Sequence, residues 1–127
     1  MDKRTKILII DDEESLSEML KEYFIRQGYE VDTAYDGEEG LFKAKKFKPD
    51  LILLDILMPV LDGVSALKQI KKDPVTAGTP VIMLTNFDAK DKLNEVRAAG
   101  TPYYLMKVNC SPKDLDKKIK QVLNLVE

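Results

Sequence analysis

Five polar residues of this 127-residue chain stand where short apolar runs end. Two adjacent acids follow KILII, one acid follows LILL, a threonine follows VIML and a lysine follows YYLM: Asp11, Asp12, Asp55, Thr85 and Lys107. Three carboxylates held together repel one another unless a hard cation neutralises them, and oxygen ligands suit Mg²⁺. The hydroxyl and the ammonium are suited to bind phosphoryl oxygens. If these residues converge, the set indicates phosphoryl transfer to a carboxylate at a magnesium site.

The runs that carry these residues are rich in Ile, Leu and Val and do not alternate with polar residues. This pattern is typical of strands buried on both faces of a parallel sheet. A first strand ends at the acid pair, and further strands are predicted over 31–35, 51–54, 81–84 and 103–106. Because the carboxyl ends of parallel strands form a ligand-binding crevice, the five polar residues are expected to converge there.

Helical spacing of apolar residues follows each strand. Helices are predicted over 14–27 and 37–46, after Asp62-Gly63, after a cap at Asp88 and after a cap at Ser111. Five successive βα units predict an α/β fold, a (βα)5 doubly wound five-stranded parallel sheet in a flavodoxin-like three-layer sandwich. The length predicts one domain over 1–127.

Composition excludes several classes of function. The net charge of −2 and the pI near 5.3 give no positive field for nucleic acid or for an anionic membrane. No aliphatic run approaches the length of a membrane span, and the N-terminus leads directly into a strand, so a cytoplasmic protein is expected. The single cysteine, Cys110, agrees with a reducing compartment. The chain contains no histidine, which excludes histidine phosphorylation and His-based acid–base catalysis within it.

Over essentially its whole length the chain resembles the receiver domain of two-component response regulators, of the single-domain chemotaxis type. Five features in order along the chain carry the resemblance: Asp11-Asp12, the segment from Asp55 to Pro59 with Asp62-Gly63, Thr85, Ala99-Gly100, and Tyr104 with Lys107. The sequence leaves open whether this is a stand-alone receiver or part of a longer regulator or hybrid kinase.

The resemblance implies a role for each matched residue. Asp55 would accept phosphate from a phosphohistidine on a sensor histidine kinase or a histidine phosphotransfer protein. Mg²⁺ would be held by Asp11, Asp12, Asp55 and the backbone carbonyl of Leu57. Thr85 and Lys107 would bind phosphoryl oxygens. Movement of Thr85 would let Tyr104 turn inward and alter the face of helix 4, strand 5 and helix 5, which a downstream effector would recognise.

Four positions depart from the family pattern or modify the site. Val108 stands where the family usually has a proline, often after a cis peptide, so a trans Lys107-Val108 bond and a different strand 5 loop are expected. Asn86 is bulkier than the residue usual after the threonine, which would restrict entry to the site or the travel of Thr85. Leu57 and Phe87, two residues past Asp55 and Thr85, are predicted to hinder the attacking water and to lengthen the phosphorylated lifetime.

Other interpretations remain for single residues and for the whole chain. Asp11 and Asp12 would serve equally as helix caps, Lys107 as a solvated lysine and Tyr104 as core packing. A phosphatase of the haloacid-dehalogenase type needs a second carboxylate two residues after its nucleophile, where Leu57 stands. A flavin carrier of this topology would have its phosphate repelled by the run of acids. A degenerate receiver that acts only as a protein-interaction module stays open, chiefly because of Val108.

Overall fold

The computed structural model describes residues 4–58, 60–85, 91–101, 103–107 and 110–126. Within these ranges, five strands alternate with five helices. The strands are β1 (Lys6–Ile10), β2 (Glu30–Ala34), β3 (Leu51–Asp55), β4 (Val81–Thr85) and β5 (Tyr104–Met106). The helices are α1 (Glu14–Arg26), α2 (Gly37–Phe47), α3 (Gly63–Lys72), α4 (Leu93–Ala98) and α5 (Pro112–Val126).

All four strand pairings are parallel, and the order across the sheet is β2-β1-β3-β4-β5. This confirms the predicted α/β fold and places β1, β3, β4 and β5 side by side. The order reverses direction between β1 and β3, and at such a point the carboxyl ends of neighbouring strands open into a crevice. No helix within the described ranges is long and apolar enough to cross a membrane.

The apolar core lies in two layers, one on each face of the sheet. Alternate strand residues point to opposite faces, so Leu8 and Ile10 pack on the layer under α2, α3 and α4. Ile7 and Ile9 pack on the other layer, against residues of α1 and α5 such as Phe24. Burial on both faces explains why these strands read as continuous apolar runs rather than alternating ones.

Among the described residues, three helix starts carry side-chain caps, of which the sequence predicted the one at Ser111. The side chains of Asp36 and Asp62 accept backbone N–H groups of the first turns of α2 and α3. Ser111 Oγ accepts the N–H of Asp114 (3.1 Å), whose carboxylate accepts the N–H of Ser111 (3.3 Å). The predicted cap Asp88 lies outside the described residues.

Element boundaries shift by one residue at a few strand and helix ends. β2 ends at Ala34 rather than at 35, and β5 begins at Tyr104 rather than at 103. β3 and β4 each extend one residue further than predicted, to Asp55 and Thr85. The pairing between strands includes these polar residues because backbone hydrogen bonds do not require an apolar side chain.

The loop between β3 and α3 contains a strained residue. Val60 has a φ of 70°, and the residue is 72% exposed. A β-branched residue in the left-handed region is disfavoured, whereas Asn tolerates that region. Because the residue is exposed, its side chain gains little packing energy that could offset the backbone strain.

Replacing Val60 with Asn is therefore expected to raise the free energy of unfolding by about 1 kcal/mol. Urea unfolding measures this. Val75→Asn is the matched control, because Val75 is exposed in a loop and is not among the described non-glycine residues with positive φ. An equal effect of both substitutions would show that the backbone of Val60 is not the cause.

Candidate functional site

The structure brings the predicted site residues to one edge of the sheet. Asp11 and Asp12 directly follow β1, Asp55 and Thr85 end β3 and β4, and Lys107 directly follows β5. These are four adjacent strands, so their carboxyl ends share one crevice. The convergence expected from the strand ends is thus present in the fold.

The three carboxylates form a group that fits a divalent cation. One oxygen each from Asp11, Asp12 and Asp55 lies within 4.8 Å of the others. Asp11 and Asp55 are buried, whereas Asp12 is exposed. Asp11 Oδ2 is buried and pairs with Lys107 Nζ at 2.7 Å, but makes no further hydrogen bond among the described residues. A buried, incompletely satisfied carboxylate in an all-oxygen set matches the donor preference of Mg²⁺.

The alternative of simple helix caps is not supported. The N-cap of α1 is Glu13, whose side chain makes no cap hydrogen bond. Asp11 Oδ1 does accept the N–H of Glu13 (3.0 Å), but Glu13 precedes the first helical residue. The acid pair is therefore turned into the crevice rather than onto the first turn of α1.

Lys107 is a buried cation rather than a solvated lysine, because its side chain is only 8% exposed. Its Nζ lies 2.7 Å from Asp11 Oδ2, 2.8 Å from Glu13 Oε1 and 3.3 Å from Asp55 Oδ2. Burial lowers the pKa of Lys107, but the hydrogen bonds to Asp11 and Glu13 and the charge of Asp55 outweigh this and raise it. The ammonium therefore stays charged between the carboxylates.

Asp55 has a perturbed pKa in this setting. Burial, and then the negative charge of Asp11, raise the pKa of Asp55 to about 7, against the lowering effect of Lys107. One lysine thus does not neutralise the carboxylate group in the absence of a metal ion. A bound divalent cation would favour the charged form of Asp55.

Without Mg²⁺, the folded chain is expected to lose stability as the pH rises from about 4 to about 7. In that interval the folded state retains a proton on Asp55 that the unfolded chain, with its ordinary pKa near 3.8, has released. The contribution is fully present below the unfolded pKa and is lost as the pH rises through the folded one. We expect a loss on the order of 2 kcal/mol that is absent in Asp55→Asn.

Urea unfolding in EDTA at a series of pH values measures this difference. Groups away from the site titrate equally in both proteins, so the difference between wild type and Asp55→Asn reports Asp55 together with the groups in contact with it. The variant should be the more stable protein at pH 8. Parallel curves for the two proteins would contradict the assigned pKa.

The backbone around Asp55 is held by a close contact with the start of α3. Gly63 N–H donates to the carbonyl oxygen of Ile56 (2.8 Å), and Ile56 N–H donates to Leu84 (3.1 Å). A Cβ on Gly63 would overlap the carbonyl oxygen of Asp55 and lie 2.7 Å from Ile56 Cα. Only a glycine allows α3 to begin this close to Asp55.

Thr85 and Leu57 flank Asp55 in different surroundings. Thr85 is fully buried at the end of β4, one residue beyond Leu84, the register partner of Asp55. Leu57 lies two residues past Asp55, and the residue is 42% exposed. Phosphoryl binding by Thr85 and metal ligation by the carbonyl of Leu57 stay predictions.

Tyr104 and its neighbour Tyr103 lie on opposite faces of the sheet. Tyr104 packs against the layer under α2, α3 and α4, and the guanidinium of Arg97 on α4 lies 5.9 Å from its ring centroid. Tyr103 packs against the layer on the α1 and α5 side. Of the two, Tyr104 is therefore the tyrosine in contact with α4, and its switch role stays a prediction.

Glu13 is a site residue that sequence reasoning missed. It follows the acid pair directly, but it resembles an ordinary acid at the start of a helix, and its contact with Lys107 spans 94 residues of sequence. Val108, Asn86 and Phe87 lie outside the described residues, so the predictions that concern them stay predictions.

Comparisons with known proteins agree with the fold and the site. The family model of the response regulator receiver domain matches residues 7–120. The transcriptional regulatory protein PhoP of Bacillus subtilis, named for alkaline phosphatase synthesis, is 40% identical over 96% of this chain and 50% of its own length. ResD of the same organism is 38% identical over 94% of this chain and 48% of its own length. The chain therefore spans about half the length of these curated relatives.

Two solved structures are similar over nearly their whole length. The chemotaxis protein CheY4 of Vibrio cholerae has a TM-score of 0.87 and 35% identity, covering 94% of this chain and 99% of its own. A CheY-like receiver domain protein of Methanospirillum hungatei has a TM-score of 0.90 and 31% identity, covering 98% of this chain and 97% of its own.

Proposed function

The chain belongs to the response regulator receiver domain family, and on this basis we propose that it is a phosphorylation-dependent switch of a two-component phosphorelay in which Asp55 accepts the phosphoryl group. The family is regulatory rather than one of classical enzymes. The observation that carries the proposal is the grouping of Asp11, Asp12, Asp55 and Lys107 at the carboxyl ends of neighbouring strands.

In the proposed reaction a carboxylate oxygen of Asp55 attacks the phosphorus of the donor. A new P–O bond forms while the bond from phosphorus to the donor breaks, and its electron pair leaves with the donor group. The Nζ of Lys107 and the hydroxyl of Thr85 donate to phosphoryl oxygens as the transfer proceeds. Because the chain has no histidine, a phosphohistidine donor must come from a partner, a sensor histidine kinase or a histidine phosphotransfer protein.

Asp11, Asp12, Asp55 and the carbonyl of Leu57 would hold Mg²⁺. Bound there, the ion supplies charge neutralisation for the carboxylates and for the phosphoryl oxygens. Asp55, with a pKa of about 7 in the metal-free protein, is then favoured in the ionised form that a nucleophile needs.

The output of the switch is proposed to be the face of α4, β5 and α5. Tyr104 on β5 contacts Arg97 on α4, so a rotation of the tyrosine would change the surface of that helix directly. A downstream effector protein or domain would read this change. The curated relatives are named as transcriptional regulators and are about twice as long as this chain. For residues 1–127 we propose the receiver function alone, without direct contact to nucleic acid. A cytoplasmic location stays a prediction.

Incubation with acetyl phosphate and Mg²⁺, followed by intact-mass measurement, tests the proposal. The protein should gain the mass of one phosphoryl group and lose it again after the donor is removed. No gain in a folded protein would favour the degenerate interaction module. Continued turnover of unrelated phosphoesters would favour the phosphatase, although that enzyme's second carboxylate is replaced here by Leu57.

A further inference from the structure

Lys107 has one contact that the proposed reaction does not use, the carboxylate of Glu13 at 2.8 Å. An ammonium group has three N–H donors, and here three carboxylates surround it: Asp11, Glu13 and Asp55. Asp11 and Glu13 make the two short contacts, whereas Asp55, at 3.3 Å, is the residue that phosphorylation itself converts. A phosphoryl group on Asp55 brings three oxygens to this ammonium group, so it competes with Asp11 and Glu13 for the N–H donors.

Of the three carboxylates, Glu13 is the one that water can most easily solvate after it leaves Lys107. Its side chain is 55% exposed, compared with 1% for Asp11 and 3% for Asp55. Releasing a buried carboxylate from the ammonium group would leave an unsolvated charge, whereas an exposed ion pair contributes little. When a phosphoryl oxygen binds Lys107, the contact that it replaces should therefore be the one with Glu13.

The backbone of Glu13 is fixed while its side chain has no second anchor among the described contacts. Its N–H donates to Asp11 Oδ1 (3.0 Å), and its carbonyl accepts the N–H of Ser17 (3.0 Å). As N-cap of α1 it makes no side-chain cap bond, so its carboxylate is directed to Lys107 instead. The side chain can leave Lys107 without disturbing the start of α1.

We infer that Glu13 is a positioning residue that holds Lys107 in the unmodified protein and is displaced by a phosphoryl oxygen once Asp55 is modified. The inference rests on the proposed function. Because Glu13 stabilises only the unmodified state, it slows phosphorylation and leaves hydrolysis of the modified protein unaffected.

The rate constants for phosphorylation by acetyl phosphate in Mg²⁺, and for hydrolysis after donor removal, test this asymmetry. Glu13→Gln should be phosphorylated about fivefold faster than wild type, the effect of losing one partly exposed ion pair, with an unchanged hydrolysis rate. Glu14→Gln is the matched control, because Glu14 is an exposed neighbour and the charge change is identical. Glu13→Asp keeps the charge but shortens the reach, so it should resemble Glu13→Gln.

A second readout does not depend on phosphorylation. The ¹⁵Nζ resonance of Lys107 in the protein without donor, assigned by its loss in Lys107→Arg, should shift in Glu13→Gln but not in Glu14→Gln. Equal rates in Glu13→Gln and wild type, equal acceleration in Glu14→Gln, or an unshifted resonance would overturn the inference. A wild-type protein that takes up no phosphoryl group would instead refute the proposed function, and this inference with it.

Discussion

Asp55→Asn is expected to abolish phosphoryl uptake from acetyl phosphate. The amide that replaces the carboxylate is not a nucleophile, and it removes one of the three carboxylates that could hold Mg²⁺. The fold should survive, because Asp55 has a raised pKa and its charge destabilises the metal-free protein. Under conditions that modify the wild type fully, the intact mass of the variant should not change.

The control for this substitution is Asp91→Asn, which removes the charge of an exposed carboxylate outside the site. It should be modified at the wild-type rate. Circular dichroism and urea unfolding establish that Asp55→Asn is folded when assayed. Undiminished phosphoryl uptake in the folded variant would rule out Asp55 as the acceptor.

Gly63→Ala is expected to destabilise the protein by about 3 kcal/mol, although it adds a single methyl group at the end of a helix. The new Cβ would overlap the carbonyl oxygen of Asp55 and approach Ile56 Cα to 2.7 Å. Both are backbone atoms held in the sheet by the Ile56 N–H bond to Leu84, so neither can move aside as a flexible side chain would. Either α3 or the end of β3 must shift.

Such a shift should also slow chemistry at Asp55. Misplacement of a reacting group by about 1 Å can cost on the order of a hundredfold in rate, and at least a tenfold loss is expected at temperatures where the variant is folded. Gly78→Ala is the matched control, since a Cβ added there would meet no atom within 4 Å and the φ of Gly78 is not positive. Similar stabilities for the two variants would contradict the close contact between α3 and Asp55.

The sheet and the position of the acids could be predicted because both depend on local sequence. A strand buried on both faces must be continuously apolar, as Ile52 to Leu54 are, and the first polar residue then marks its carboxyl end. Because parallel strands align these ends, the grouping of Asp11, Asp55 and Lys107 followed from the strand assignments.

The remaining features of the site depend on contacts between distant segments. The contact between Glu13 and Lys107 joins the start of α1 to the end of β5. In the sequence, nothing distinguishes Glu13 from its acidic neighbour Glu14. Tyr103 and Tyr104 lie on opposite faces, as consecutive residues of extended chain do, but the face that each one takes depends on how β5 pairs with β4.

Buried pairs of polar residues cannot be predicted from the sequence pattern either. Asp116 occupies a polar-looking position of α5, yet it is 7% exposed and accepts the hydroxyl of Tyr29 at 2.5 Å. Burial, and then the hydrogen bond to Asp116, raise the pKa of Tyr29. Helical periodicity does not reveal such a partner, because the two residues are 87 positions apart.

Tandem mass spectrometry of the wild-type chain after acetyl phosphate treatment locates the transferred group. With Mg²⁺ present, we expect the phosphoryl group on the peptide that contains Asp55, and with EDTA we expect none. A phosphoryl group on another residue, or equal labelling of Asp55 with and without the metal ion, would contradict a Mg²⁺-dependent acceptor carboxylate at the end of β3.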